Sequence, residues 1–220
     1  RHADGLSSRA VPPERSRRPG RALRVGYVSA DFREHSVGYF IEPILANHNH
    51  KEFDIYCYAD VGVEDERTRR LKSHASVWRR IRGCSDREVV ERIREDRIDI
   101  LVDLAGHTAR NRLLVFARRP APVQITYLGY PNTTGLTTMD YRLTDPTADP
   151  AGSDAFHAEE LIRLQPGFLC YLPPAAAPEP SPPAAERNGY VTFGSFNNFP
   201  KVSEEVLETC RAKAAEFQGV

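Results

Sequence analysis

The chain lacks a charge bias. Thirty Lys and Arg stand against 30 Asp and Glu in 220 residues, so net charge gives no pull toward nucleic acid or an anionic membrane. No apolar run approaches the ~20 residues of a membrane span, and no signal peptide is visible. Its four cysteines (Cys57, Cys84, Cys170, Cys210) never fall at Cys-x-x-Cys spacing, which argues against a disulfide framework or a zinc site. Buried or free thiols in a reducing compartment are the expectation, with a cytoplasmic or nuclear location. Gly-x-Gly-x-x-Gly is missing after the first strand, which weakens a dinucleotide oxidoreductase; Gly-x-x-x-x-Gly-Lys-Ser/Thr is missing throughout, which removes a P-loop NTPase. There is no Gly-x-Ser-x-Gly elbow for an α/β-hydrolase, and no Asp-x-Asp or histidine cluster at metal-ligand spacing.

What is there alternates. Residues 23–29 (LRVGYVS), 53–59 (FDIYCYA), 77–81, 98–104 (IDILVDL), 123–128 and 141–144 have strand character. Helical segments are expected over 36–48, interrupted at Pro43, and over 65–75, 85–96 and 110–118. Ser85 and Glu88 fit a capping box. The nearly continuous apolar run at 98–104 suits a parallel strand covered on both faces. Strands spaced by helices imply βαβ units and a doubly wound α/β fold with a parallel sheet.

The ends have another character. Residues 1–22 are basic and Pro-rich and suit a disordered linker; residues 166–189 form a second linker around the Pro/Ala run from 173. Residues 190–196 (YVTFGSF) have strand character, and a helix is expected over 203–217. One strand and one helix cannot bury their apolar faces alone, so 190–220 is expected to be the opening βα unit of a truncated second lobe, after a complete lobe over 23–165. The chain is expected to be a fragment.

In a parallel sheet three strand ends share one carboxyl edge, where open α/β sheets bind ligands. The first delivers Asp31 and His35, the run 98–104 delivers Gly106, His107 and Thr108, and the run 123–128 delivers Gly129, Tyr130 and Pro131. The glycines permit close approach of backbone to a ligand, the helix beginning near Ser36 offers free N–H groups, and a neutral imidazole can act as a base. A lone loop histidine is as often structural; two at matching strand ends favour a cleft. His48, His50, His74 and His157 are expected at the surface or as helix caps, and the arginines around 67–70 and 87–97 on solvated faces. Lys201 follows a strand-like segment and precedes a helix, a seat for a diphosphate or, equally, an ordinary surface lysine.

RVGYVSADFREHSVGYF, DILVDLAGHT, RRPAPVQITYLGYPNTTGL, MDYRLTD and YVTFGSFNN together resemble glycosyltransferase family 41, the O-GlcNAc transferases and SPINDLY-type O-fucosyltransferases. The likeness runs from Leu23 to about Leu207, with several long motifs in order. It implies a GT-B fold of two Rossmann-like lobes, usually preceded by tetratricopeptide repeats. It implies an inverting, metal-independent enzyme without a cofactor, moving GlcNAc from UDP-GlcNAc to Ser/Thr hydroxyls of protein or peptide acceptors, with neither nucleic acid nor membrane as partner. By the same resemblance His35 matches the histidine proposed as base, and Lys201 the lysine that neutralises the departing diphosphate. Gly129, Tyr130 and Pro131 match the loop lining the sugar and acceptor cleft, His107 and Thr108 a neighbouring cleft loop, and Asn198 is read as a further substrate-binding residue. Asn198 and Pro200 stand where animal O-GlcNAc enzymes carry Gln and Tyr, and HSVGYF and YPNTTGL are closer to the plant and bacterial branches. GDP-fucose is therefore the alternative donor. Two other readings stand beside it: an inactive truncated lobe that binds proteins, and a GT-B-like enzyme acting on small nucleotide sugars.

Overall fold

The computed structural model describes residues 20–174, 176–196 and 199–217. The chain divides into two units between Leu172 and Pro173. The first contains β1 (Leu23–Ser29), α1 (Ser36–Ala46), β2 (Phe53–Ala59), α2 (Glu66–His74), β3 (Val77–Arg80), α3 (Asp86–Glu95), β4 (Ile100–Asp103), α4 (Leu113–Phe116), β5 (Val123–Thr126), β6 (Tyr141–Thr144) and β7 (Glu160–Arg163). The strands form one seven-stranded sheet in the order β3-β2-β1-β4-β5-β6-β7, parallel throughout. The doubly wound parallel α/β architecture expected from the alternation is the one observed.

Period-two alternation sorts the strand side chains onto two faces. Val25, Tyr27, Ile55, Cys57 and Val102 pack with Ile41 and Leu45 of α1 and Leu71 of α2. Val28, Tyr56, Tyr58 and Leu101 pack with Val89, Val90 and Ile93 of α3 and Phe116 of α4 on the other face. The strand order runs outward from β1 in one direction through β2 and β3, then restarts beside β1 with β4 and runs the other way. Right-handed crossovers then put the two helix pairs on opposite faces, leaving a crevice beyond the carboxyl ends of β1 and β4.

Local chemistry explains the helix starts. The Ser85–Glu88 capping box forms as expected, with Glu88 N–H donating to Ser85 Oγ (3.3 Å) and Ser85 N–H to Glu88 Oε2 (2.7 Å). Asp65 and Thr68 build an equivalent box at α2.

Several expectations need correction. Helix α1 is not interrupted at Pro43: it runs through it, because Ile41, Pro43 and Leu45 are buried on the sheet and that burial outweighs one missing N–H. Strand β7 was not expected, since four residues of alternating exposure carry little periodic signal. No helix separates β5 from β6, and only a 3₁₀ turn (Ser153–Phe156) lies between β6 and β7. Arg67 does not lie on a solvated face: it is buried, bonded to Glu34 (3.1 Å) and paired with Glu42, and its guanidinium lies over the Tyr39 ring. Arg21, within the stretch expected to be a linker, holds both Asp99 oxygens at 2.6 and 2.7 Å. Residues 1–19 lie outside the described residues.

The second unit contains α5 (Ala184–Asn188), a 3₁₀ turn (Phe199–Lys201) and α6 (Glu204–Glu216). The strand expected over 190–196 does not form. A strand is held by ladder bonds to a neighbour, and no strand among the described residues pairs with this segment. Val191, Phe193 and Phe196 are correspondingly exposed.

Candidate functional site

The carboxyl ends of β1, β4 and β5 gather the first unit's site residues. The loop after β1 presents buried Asp31, whose carboxylate is a local hub. Arg33 Nη2 donates to its Oδ1 at 3.0 Å, Arg110 Nη2 from the loop after β4 lies 3.9 Å away, and His35 Nδ1 lies 3.9 Å from its Oδ2. The loops flanking the switch point thus meet across one carboxylate. Beside them a cavity of about 430 Å³ is lined by Arg33, Gly62, Val63, Asp65 and Arg110.

His35 is also the N-cap of α1. Its backbone is extended, and its Nδ1 accepts from Val37 N–H at 3.2 Å. One of the helix N–H groups expected to be open to a ligand is therefore already used by the protein.

The loop after β4 is braced from below by Asp103. This fully buried carboxylate accepts from Ala105 N–H (3.1 Å), Gly106 N–H (2.8 Å) and Thr126 Oγ1 (3.1 Å). Burial nevertheless outweighs these donors and pushes its pKa above the ordinary carboxylate value. Thr108 closes the loop by donating its hydroxyl to the Ala105 carbonyl at 2.8 Å. His107 stands exposed at the tip, with Nε2 2.9 Å from the Thr134 carbonyl and its ring edge-on to Tyr130 at 5.4 Å.

The loop after β5 is strained and tightly seated. Gly129 N–H bonds back to the Tyr127 carbonyl at 2.9 Å, with Leu128 between them at φ 74°, a γ-turn conformation costly for a branched side chain. A Cβ on Gly129 would lie 1.9 Å from the Leu104 carbonyl oxygen, and one on Gly106 (φ 53°) would lie 2.3 Å from Tyr130 Cβ. The two loops interlock through their glycines. Because backbone cannot give way as a flexible side-chain end can, Gly129→Ala is expected to cost about 1–3 kcal/mol. Chemical denaturation checks this, and a loss below ~0.5 kcal/mol would show that the loops are free to part.

Beneath the Tyr130–Pro131 segment lies fully buried Arg142. Its Nη1 donates to the carbonyls of Tyr130 (3.0 Å) and Asn132 (3.3 Å), and its Nε to Asp149 Oδ2 at 3.2 Å. Asp149 also accepts from Thr144 Oγ1 and faces His157 Nε2 at 3.4 Å. His157 is thus buried, not a surface residue, and its Nδ1 lies 3.0 Å from the Ser153 carbonyl. His48 is likewise no simple cap: its Nε2 meets the Tyr27 hydroxyl at 2.8 Å, and burial lowers its pKa. Buried Glu159 holds Thr134 through its N–H (2.7 Å) and its hydroxyl, and so fixes the carbonyl that His107 engages.

Lys201 belongs to the second unit, exposed in the Phe199–Lys201 turn just before α6. No carboxylate among the described residues pairs with it. The first turn of α6 carries Glu204 and Glu205, so the positive end of that helix is already countered and Lys201 supplies the local positive charge. Asn198 lies outside the described residues.

The sequence motifs account for His35, His107, Thr108 and Gly129–Pro131 at one edge. Arg33, Arg110, Arg142 and Glu159 were missed. An arginine inside MDYRLTD has no sequence mark of burial, and Arg110 comes to Asp31 only because β1 and β4 are neighbours.

The sequence model for glycosyl transferase family 41 matches residues 9–170. The chain belongs to that family. It is 48% identical over 199 residues to a Petunia hybrida protein named a probable UDP-N-acetylglucosamine–peptide N-acetylglucosaminyltransferase SPINDLY, covering 89% of this chain and 21% of that one. An Arabidopsis thaliana relative of the same description, SEC, is 30% identical over 200 residues, covering 85% of this chain and 20% of that one. The solved structure of a mutant Thermobaculum terrenum O-GlcNAc transferase superposes with a TM-score of 0.83 at 41% identity, covering 92% of this chain and 38% of that chain. The chain spans about a fifth of the length of the curated relatives it matches. The family 41 lobe is thus of the GT-B type, and its carboxyl-edge loops occupy the position where such α/β sheets take ligands.

Proposed function

We propose that this family 41 chain carries the amino-terminal catalytic lobe of a protein O-glycosyltransferase, with residues 190–220 opening a second lobe. The complete protein moves GlcNAc from UDP-GlcNAc to Ser/Thr hydroxyls of protein or peptide acceptors, with inversion. The observation that carries this reading is the convergence of the β1, β4 and β5 loops on the switch-point crevice in a chain nearly half identical to SPINDLY proteins.

The acceptor hydroxyl attacks the anomeric carbon, the bond to the diphosphate breaks, and its electron pair leaves with the nucleotide. The Gly129–Pro131 loop, rigid in its strained turn, lines the sugar and acceptor cleft with His107 and Thr108. By the resemblance, Asn198 is read as a further substrate-binding residue. Lys201 neutralises the leaving diphosphate, a role that in other enzymes falls to a metal. Activity is accordingly expected to survive chelation. The reading carries with it a cytoplasmic or nuclear location, without nucleic-acid or membrane partners.

A second reading, O-fucosyl transfer from GDP-fucose, rests on the resemblance of the HSVGYF and YPNTTGL motifs to the SPINDLY-type O-fucosyltransferases. One experiment separates them: intact mass of a Ser/Thr-rich acceptor incubated with the complete gene product and each donor alone, with and without EDTA. A gain of one N-acetylhexosamine, unchanged by EDTA, is expected. A deoxyhexose gain selects the second reading. No gain with either donor from folded protein rejects both and leaves a protein-binding lobe.

A further inference from the structure

We infer that His107, not His35, is the group that takes the proton from the acceptor hydroxyl. The inference rests on the transferase reading above and follows from which nitrogen each imidazole has already committed.

A neutral imidazole has one N–H and one lone pair, and a hydrogen-bond partner of fixed character decides which nitrogen carries which. The partner of His35 Nδ1 is the backbone N–H of Val37, which can only donate. His35 Nδ1 therefore holds the lone pair, and Nε2 carries the proton. The nitrogen that His35 leaves for a ligand is a donor. The partner of His107 Nε2 is the Thr134 carbonyl, which can only accept. His107 Nε2 therefore carries the proton, and Nδ1 holds the lone pair. The nitrogen that His107 leaves for a ligand is a base.

The two rings thus hold the same Nε2–H tautomer but leave opposite nitrogens free, on the loops that follow neighbouring strands. Neither arrangement is a loose surface choice. His35 Nδ1 is committed because it caps α1, and freeing it would leave a helix N–H unsatisfied. His107 is fixed from two sides, by the Thr134 carbonyl and by edge-on packing on Tyr130. Thr134 is itself pinned by Glu159. His107 is exposed at the tip of its loop, where an acceptor peptide can reach it.

The step balances. The acceptor oxygen forms its bond to the anomeric carbon while the carbon–oxygen bond to the diphosphate breaks. The hydroxyl proton passes to His107 Nδ1, leaving an imidazolium, and the nucleoside diphosphate departs with the electron pair. His35 Nε2–H donates a hydrogen bond to an oxygen of sugar or phosphate and accepts no proton.

Two isosteric substitutions separate the roles. His107→Gln keeps a side-chain N–H toward the Thr134 carbonyl but removes the Nδ1 lone pair. His35→Asn keeps an acceptor for Val37 N–H, and Asn is a favoured N-cap, but it removes the Nε2–H. In the complete gene product, His107→Gln is expected to lower kcat by roughly 100-fold or more with acceptor KM within a few-fold. His35→Asn is expected to lose at least about tenfold less in kcat. Any other ordering overturns the assignment. Independently of activity, ¹⁵N spectra of histidine-labelled protein are expected to show His107 protonated at Nε2 and His35 at Nε2 with its Nδ1 accepting, the free nitrogens being Nδ1 of the former and Nε2–H of the latter. A His107 ring protonated at Nδ1 overturns the inference whatever the kinetics. A wild-type protein that transfers neither sugar, with the tautomers as stated, rejects the transferase reading and with it the catalytic role, whereas transfer with unimpaired His107→Gln rejects the role alone.

Discussion

Lys201→Ala in the complete gene product is expected to lower kcat by about 100- to 1000-fold, equivalent to ~3–4 kcal/mol of transition-state stabilisation. The argument is electrostatic. Negative charge grows on the diphosphate as the sugar bond breaks, so a cation beside it contributes more in the transition state than in the ground state. Lys201 sits exposed at the end of a 3₁₀ turn, with no carboxylate among the described residues to offset it. The adjacent start of α6 cannot substitute, because Glu204 and Glu205 occupy its first turn. The loss should fall on kcat, with acceptor KM within a few-fold of wild type, and it is read from steady-state kinetics against acceptor and donor in turn. The chain's fold should not change, since an exposed side chain without an ion pair contributes little to stability. Turnover within a few-fold of wild type would remove Lys201 from the mechanism.

Arg142→Met is expected to destabilise the first unit by about 3–5 kcal/mol. Methionine replaces the stem of Arg142 but not the guanidinium that supplies Asp149 and the carbonyls of Tyr130 and Asn132. The cost is the uncompensated charge left on buried Asp149, together with two carbonyls deprived of a donor. Against a typical domain stability of about 5–15 kcal/mol this is a large fraction. Urea denaturation measures it. The double variant Arg142→Met, Asp149→Asn should recover part of the loss, because the stranded charge is gone; simple additivity of the two changes would show that the residues do not act as a pair. Since Arg142 also holds the Tyr130–Asn132 backbone, the variant is expected to loosen the loop proposed to line the cleft.

The local reading succeeds where one strong signal acts within a few residues. Strands β1, β2 and β6 begin and end where their apolar patterns do, and the Ser85 box starts α3. It fails where distant partners decide. Pro43 reads as a break, yet the sheet beneath keeps the helix continuous. Residues 190–196 read as a strand, yet without a neighbouring strand they form none. Arg67, Arg142 and His157 read as polar surface, and each is buried against partners 25 residues away or fewer, or in one case 33, on other elements.

The sequence by itself determined that the chain is a parallel α/β protein of family 41, and which loops follow which strands. Apolar periodicity and long ordered motifs are properties of the chain alone. Tertiary structure decided which of those loops face one another and what each side chain has left to offer. The strand order made β1 and β4 neighbours and so brought Arg110 to Asp31. The Val37 N–H and the Thr134 carbonyl claim opposite nitrogens on two histidines that look equivalent in sequence, leaving one a donor and the other a base. A histidine's chemistry depends on which nitrogen its neighbours have already claimed, and those neighbours exist only in the folded chain.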